Sequence, residues 1–140
     1  MPTALPMPVG PIKISANSEK GFNWPYYLYV PSKVSGTHIL VVPNNTGYRD
    51  DEFSVHEQSA QETMSSRISW ANQLEIPLLV PVFPRFNNAD GSVPSQYLER
   101  GTLEQYYIKK YPLLAREDLQ MVAMIDDARK KNKRTRNQCG

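Results

Sequence analysis

A chain of 140 residues that is 40% hydrophobic and 21% charged is one domain's worth of ordinary globular sequence, and folding would bury roughly two-thirds of its unfolded surface. A formal charge of +2 is too small to imply a nucleic acid or an anionic membrane as partner. No apolar run approaches the ~18 residues of a membrane span, and the opening "MPTALPMPVGP" lacks the basic start and unbroken apolar stretch of a secretion signal. Residues 1–10 therefore read as a flexible, Pro-rich lead-in to a soluble, cytoplasmic protein. Cys139 is the only cysteine, which excludes an intrachain disulfide and a cysteine metal cluster. Nothing here calls for a cofactor.

In chain order, "PIKISAN" (11–17) alternates Ile12 and Ile14 with polar residues, the pattern of a half-buried strand. "NSEKG" supplies a turn, and "YYLYV" (26–30) is rich in aromatic and β-branched residues, so the two segments predict an antiparallel hairpin. "HILVV" (38–42) is apolar at nearly every position, which suits a strand buried on both faces in a parallel sheet. Residues 54–75 predict a helix. Ser54 and Glu57 fit a capping box, and Asp50, Asp51 and Glu52 suit the positive end of the helix dipole. Ala60, Met64, Ile68, Ala71 and Leu74 then recur on one face of a 3.6-residue period. "PLLVPVF" (77–83) predicts a short strand that Pro81 should end or confine to an edge or bulge. A long irregular stretch over 84–114 holds one or two helical turns within "TLEQYYIKKY". "REDLQMVAMIDDARKK" (116–131) then predicts a helix, acidic at its start and basic at its end.

Strands alternating with amphipathic helices imply an α/β layered sheet. A helix after the third sheet strand should lead into another parallel strand, whereas 132–140, "NKRTRNQCG", reads as a basic tail. The sheet over 11–131 is therefore expected to be incomplete.

The chemically suggestive stretch is "PNNTG" (43–47), at the predicted C-terminal end of the "HILVV" strand. Asparagine tolerates left-handed backbone and glycine adopts it freely, so several N–H groups could turn toward one point. Ligands of open α/β sheets bind at such strand ends, and converging amides are the raw material of an oxyanion hole. A plain turn leaving the sheet is the commoner use of these residues.

"YYLYVPS", "HILVVPNNTG", "HEQSAQ", "PLLVPVFPR" and "REDLQMVAMIDDAR", in that order over 11–131, resemble the N-terminal half of an α/β-hydrolase of the esterase or depolymerase-like kind. The resemblance implies an N-terminal hairpin followed by parallel strands with crossover helices, and hydrolysis of an ester or related acyl bond. In that superfamily the loop after the third strand carries an oxyanion-hole donor, often in a His-Gly-Gly pattern. Pro43, Asn44 and Asn45 stand here instead. The backbone N–H of Asn45 is the implied donor, with Asn44 and Thr46 as neighbouring candidates.

The family's nucleophile sits on a Gly-x-Ser-x-Gly elbow, followed by an acid and a histidine. The glycines stand at 10, 21, 36, 47, 91, 101 and 140, with no two four apart, so the strict elbow does not occur. His38 and His56 lie near no serine in an activated setting. His56 and Glu57 open like a zinc-protease helix, but Ala60 stands where the second histidine belongs. Arg85, ending "PVFPR", could meet a substrate, though a structural salt bridge anchoring the loop is the preferred use. The cluster in "ARKKNKRTR" reads as a solvated helix end rather than a nucleic-acid or membrane site.

The expected molecule is thus part of a hydrolase, inactive alone, whose complete form takes a small acyl or ester substrate. A non-catalytic α/β binding module is the alternative. In the resembled fold the "HILVV" strand lies between "PLLV" and the elbow strand, so one of its edges is expected to be uncovered and open to self-association.

Overall fold

The computed structural model describes residues 9–43, 52–84 and 111–139, with side chains as far as 131. They form a mixed α/β domain. Four strands, β1 (Val9–Ile14), β2 (Tyr26–Val30), β3 (Leu40–Val41) and β4 (Leu78–Pro81), make one sheet in the order β1-β2-β4-β3. Two helices, α1 (Phe53–Leu74) and α2 (Glu117–Cys139), lie on its opposite faces. β1 pairs antiparallel with β2, and β2 antiparallel with β4; β3 and β4 run parallel, joined through α1.

The predicted hairpin is present. Its connection holds a 3₁₀ turn, Ser18–Lys20, opened by the Asn17 side chain accepting from the Lys20 N–H at 3.2 Å and closed by Gly21 at φ 102°. β1 starts earlier than its alternation predicts, because Gly10 (φ +91°) passes so close to β2 that a Cβ there would collide with the Leu28 carbonyl oxygen. β4 ends at Pro81, as the missing N–H of proline requires.

Strand alternation divides the core. Tyr27, Tyr29, Leu78 and Val80 face α1, where Ala60, Met64 and Ala71 meet them. Tyr26, Leu28, Val30 and Leu79 face the other way, against Phe22 and the Met124 and Ala128 of α2. Each fully buried aliphatic side chain contributes roughly 1.5–3 kcal/mol over its exposed state. No helix among the described residues is long and apolar enough to cross a membrane.

Three local expectations are corrected. The first residue flanking α1 is Glu52, with no side-chain capping bond; Ser54 already lies inside the helix, so the Ser54–Glu57 capping box does not form. The "HILVV" run is not buried on both faces. Leu40 and Val41 pair with β4, the one neighbour of β3 among the described residues, and Ile39 to Val42 are half-buried. α2 continues eight residues beyond 131, to Cys139. The segment read as a tail is rich in Lys and Arg, which are strong helix formers, and meets no Pro or Gly before Gly140.

Candidate functional site

The parallel strands β3 and β4 run with their carboxyl ends together, and several elements converge there. Val42 donates its N–H to the Leu79 carbonyl at 3.0 Å, and Val82 donates to the Pro25 carbonyl at 2.9 Å. This brings Asn23 and Trp24, just before β2, to the same edge as the start of α1. The Trp24 ring lies 5.5 Å from that of Phe53, centroid to centroid, and its Nε1 donates to the Leu113 carbonyl at 2.8 Å. Asn23 Nδ2 donates to the same carbonyl at 3.3 Å.

Buried Gln120 fixes this junction. Its Oε1 accepts from the Asn23 N–H at 2.8 Å, and its Nε2 donates to the carbonyls of Leu113 (3.0 Å) and Ala115 (2.9 Å). The aromatic pair Trp24 and Phe53 thus forms an apolar wall at the end of the sheet where an open α/β fold binds ligands.

Asn44, Asn45, Thr46 and Arg85 lie outside the described residues. The positions that bracket them do not: Pro43 leaves β3 at this edge, Glu52 leads into α1, and Pro84 follows β4. Tyr111 is half-buried before the 3₁₀ turn Pro112–Leu114. His38 is exposed before β3, at the opposite end of that strand, whereas His56 is buried in the first turns of α1. The two histidines are not brought together. Ser54 is exposed while His56, two residues on, points into the protein, so they form no couple. Among the described residues no cluster of three or more His, Cys, Asp or Glu could hold a metal ion.

Two polar clusters tie helices to strands. On the α2 side, Asp127 (3% exposed) accepts from the Tyr26 hydroxyl at 2.5 Å, from Lys20 Nζ at 2.9 Å and from Lys131 Nζ at 2.7 Å. Burial opposes its charge, yet hydrogen bonds from Lys131, Tyr26 and Lys20 hold the carboxyl down at about 2. Burial first, and then the bond to Asp127, push the Tyr26 hydroxyl up. This group is already saturated with partners, and it clamps the hairpin turn, β2 and α2 together. On the α1 side, Lys13 meets Glu57 at 2.5 Å, and the Tyr27 hydroxyl accepts from Gln61 at 2.9 Å. The bond to Glu57 raises the Lys13 pKa against its partial burial.

The sequence reading missed Asp127 and Gln120, although helical phase places both among Met124, Ala128 and Lys131 on the inward face. Trp24 carried no such signal, since its role depends on three segments distant in the chain. Comparison with known proteins finds no matching family model, no matching curated protein and no matching solved structure.

Proposed function

We propose that this chain supplies the N-terminal part of an α/β-hydrolase sheet. The 44–46 loop would then contribute an oxyanion-hole donor, with the serine, acid and histidine coming from outside these 140 residues. One observation carries the reading. β3 is bonded to β4 on one side, and no described strand occupies its other side, the place where the resembled fold holds its elbow strand. The Trp24–Phe53 wall at the carboxyl end of that strand pair supports an apolar acyl group as the nearest part of the substrate.

The purified chain is expected to leave p-nitrophenyl acetate at its buffer hydrolysis rate. Turnover by this chain that a serine-directed phosphonate abolishes would overturn the assignment of the nucleophile. In a polypeptide that also carries a strand and a Gly-x-Ser-x-Gly elbow after α2, Asn45→Pro deletes the candidate amide. It is then expected to lower kcat by about 10²–10³-fold with little change in KM. A second reading, a non-catalytic interaction module, is favoured by the charge pattern on the outward face of α2.

A further inference from the structure

α2 presents two faces. Gln120, Met124, Asp127 and Ala128 are buried against the sheet. A turn of about 100° per residue places Asp118, Leu119, Val122, Asp126, Arg129 and Lys130 on the opposite stripe, and all six are exposed. Val122 is 62% and Leu119 54% exposed, and the carboxylates of Asp118 and Asp126 are 67% exposed. Along this stripe the acids stand in the first half with the two apolar residues. The cations begin at Arg129, and Lys133 and Arg136 continue the spacing in the sequence.

We infer that this outward stripe of α2 is a homodimer interface, in which two copies of the chain pair their α2 helices antiparallel about a two-fold axis. The stripe is self-complementary only in that arrangement. Antiparallel pairing sets the acidic half of each helix against the basic half of the other and lays Leu119 and Val122 along the lysine and arginine stems. Parallel pairing sets like charge against like. A polyanion such as RNA or an anionic membrane would meet Asp118 and Asp126 on the same surface, and the whole chain carries only +2.

The stripe's existing ion pairs do not oppose the change of partner. Asp126 to Lys130 at 3.2 Å and Asp118 to Arg116 at 2.9 Å are exposed pairs of the kind that contribute little. A single pair of helices about 34 Å long buries less than a standard interface of roughly 1,600 Å². The dimer is therefore weak and salt-sensitive. The inference stands independently of the hydrolase reading, because it uses only the outer face of α2.

Sedimentation equilibrium of the full chain tests it, together with two charge-reversed variants, D118K/D126K and R129E/K130E. The wild type is expected to dimerise at low salt and to dissociate at about 0.5 M salt, where screening is short-ranged. Each variant alone is expected to associate at least tenfold more weakly, while an equimolar mixture of the two restores the dimer as a heterodimer. Four results would each overturn the proposal: a monomeric wild type at low salt, variants that dimerise as the wild type does, a mixture that stays monomeric, or a monomer retained by RNA or anionic vesicles instead. Should charge reversal disturb the helix by circular dichroism, the neutral pair R129Q/K130Q tests the same contact. It is expected to weaken the dimer, and association as tight as that of the wild type would overturn the proposal equally.

Discussion

Asp127 lies where a carboxylate is costly, 3% exposed between α2 and the hairpin, and three donors hold it ionised. Its folded pKa of about 2 lies below the ordinary 3.8. The unfolded chain therefore takes up the proton first, so the stabilisation is complete above pH 4 and is lost as pH falls toward 2. A difference of this size is on the order of 2 kcal/mol. Exposed Asp118, whose carboxyl the Arg116 guanidinium holds at about 2, titrates in the same window. Urea unfolding between pH 2 and pH 6 is therefore expected to show a steep acid limb that Asp127→Asn flattens. An unchanged limb in that variant would place the acid sensitivity elsewhere. At neutral pH the same substitution leaves Lys20 and Lys131 short of their anion and is expected to cost about 1–3 kcal/mol. Gly10 is the second residue whose identity the fold dictates. Gly10→Ala would combine a left-handed φ with collision against β2, and is expected to lower the thermal midpoint by several degrees, an effect of about 2 kcal/mol or more.

Among the elements, α1 ends under strain. Glu75 closes it in the left-handed region at φ 57°, with Ile76 donating to the Ala71 carbonyl at 3.1 Å. Glycine adopts this conformation without the Cβ penalty. Glu75→Gly is expected to stabilise the fold by about 0.5–1 kcal/mol, less the small contribution of the exposed Lys33 to Glu75 pair at 3.2 Å. Thermal melts that show a loss instead would mean that the pair outweighs the backbone relief. α1 was legible from apolar periodicity, with Ala60, Met64 and Ala71 on its buried face, because burial of one face is local information with a fixed period. α2 was legible instead from the acidic start and basic end that match its dipole. Their ends were less so. The N-cap of α1 fell at Glu52 rather than at Ser54, which lies within the helix, one residue after the Phe53 that packs against Trp24.

For the whole molecule, the decisive feature is β3. Leu40 and Val42 direct their N–H groups to the Pro77 and Leu79 carbonyls at 2.8 and 3.0 Å. By strand alternation the Val41 N–H faces the other edge, where no described strand lies. Amide exchange at low concentration is expected to show Leu40 and Val42 protected and Val41 fast. A Val41 amide as slow as its neighbours would mean that the edge is covered, and would remove the observation on which the proposed function rests. Protection of Val41 that grows with concentration would instead register pairing between copies through this edge. That contact is separable from the α2 contact, because it does not respond to D118K/D126K.

The sequence by itself determined the kinds of element, their order and much of what each buries, since strand alternation, helix phase and the proline at 81 act within a few residues of themselves. It also determined that a strict serine elbow does not occur, which follows from the glycine positions alone. Local backbone preference singled out the "PNNTG" stretch, the family resemblance implied its individual amides, and Asn44, Asn45 and Thr46 lie outside the described residues. Only the tertiary structure decided which strand is interior. The nearly all-apolar "HILVV" run reads as the best-buried segment, yet β4 and β2 are the fully buried strands and β3 is half-exposed. The physical reason is that a strand's own composition sets how well it tolerates burial, whereas burial itself is set by neighbours on both edges and both faces. Those neighbours, like the meeting of Trp24, Phe53 and Leu113, come from chain positions tens of residues apart.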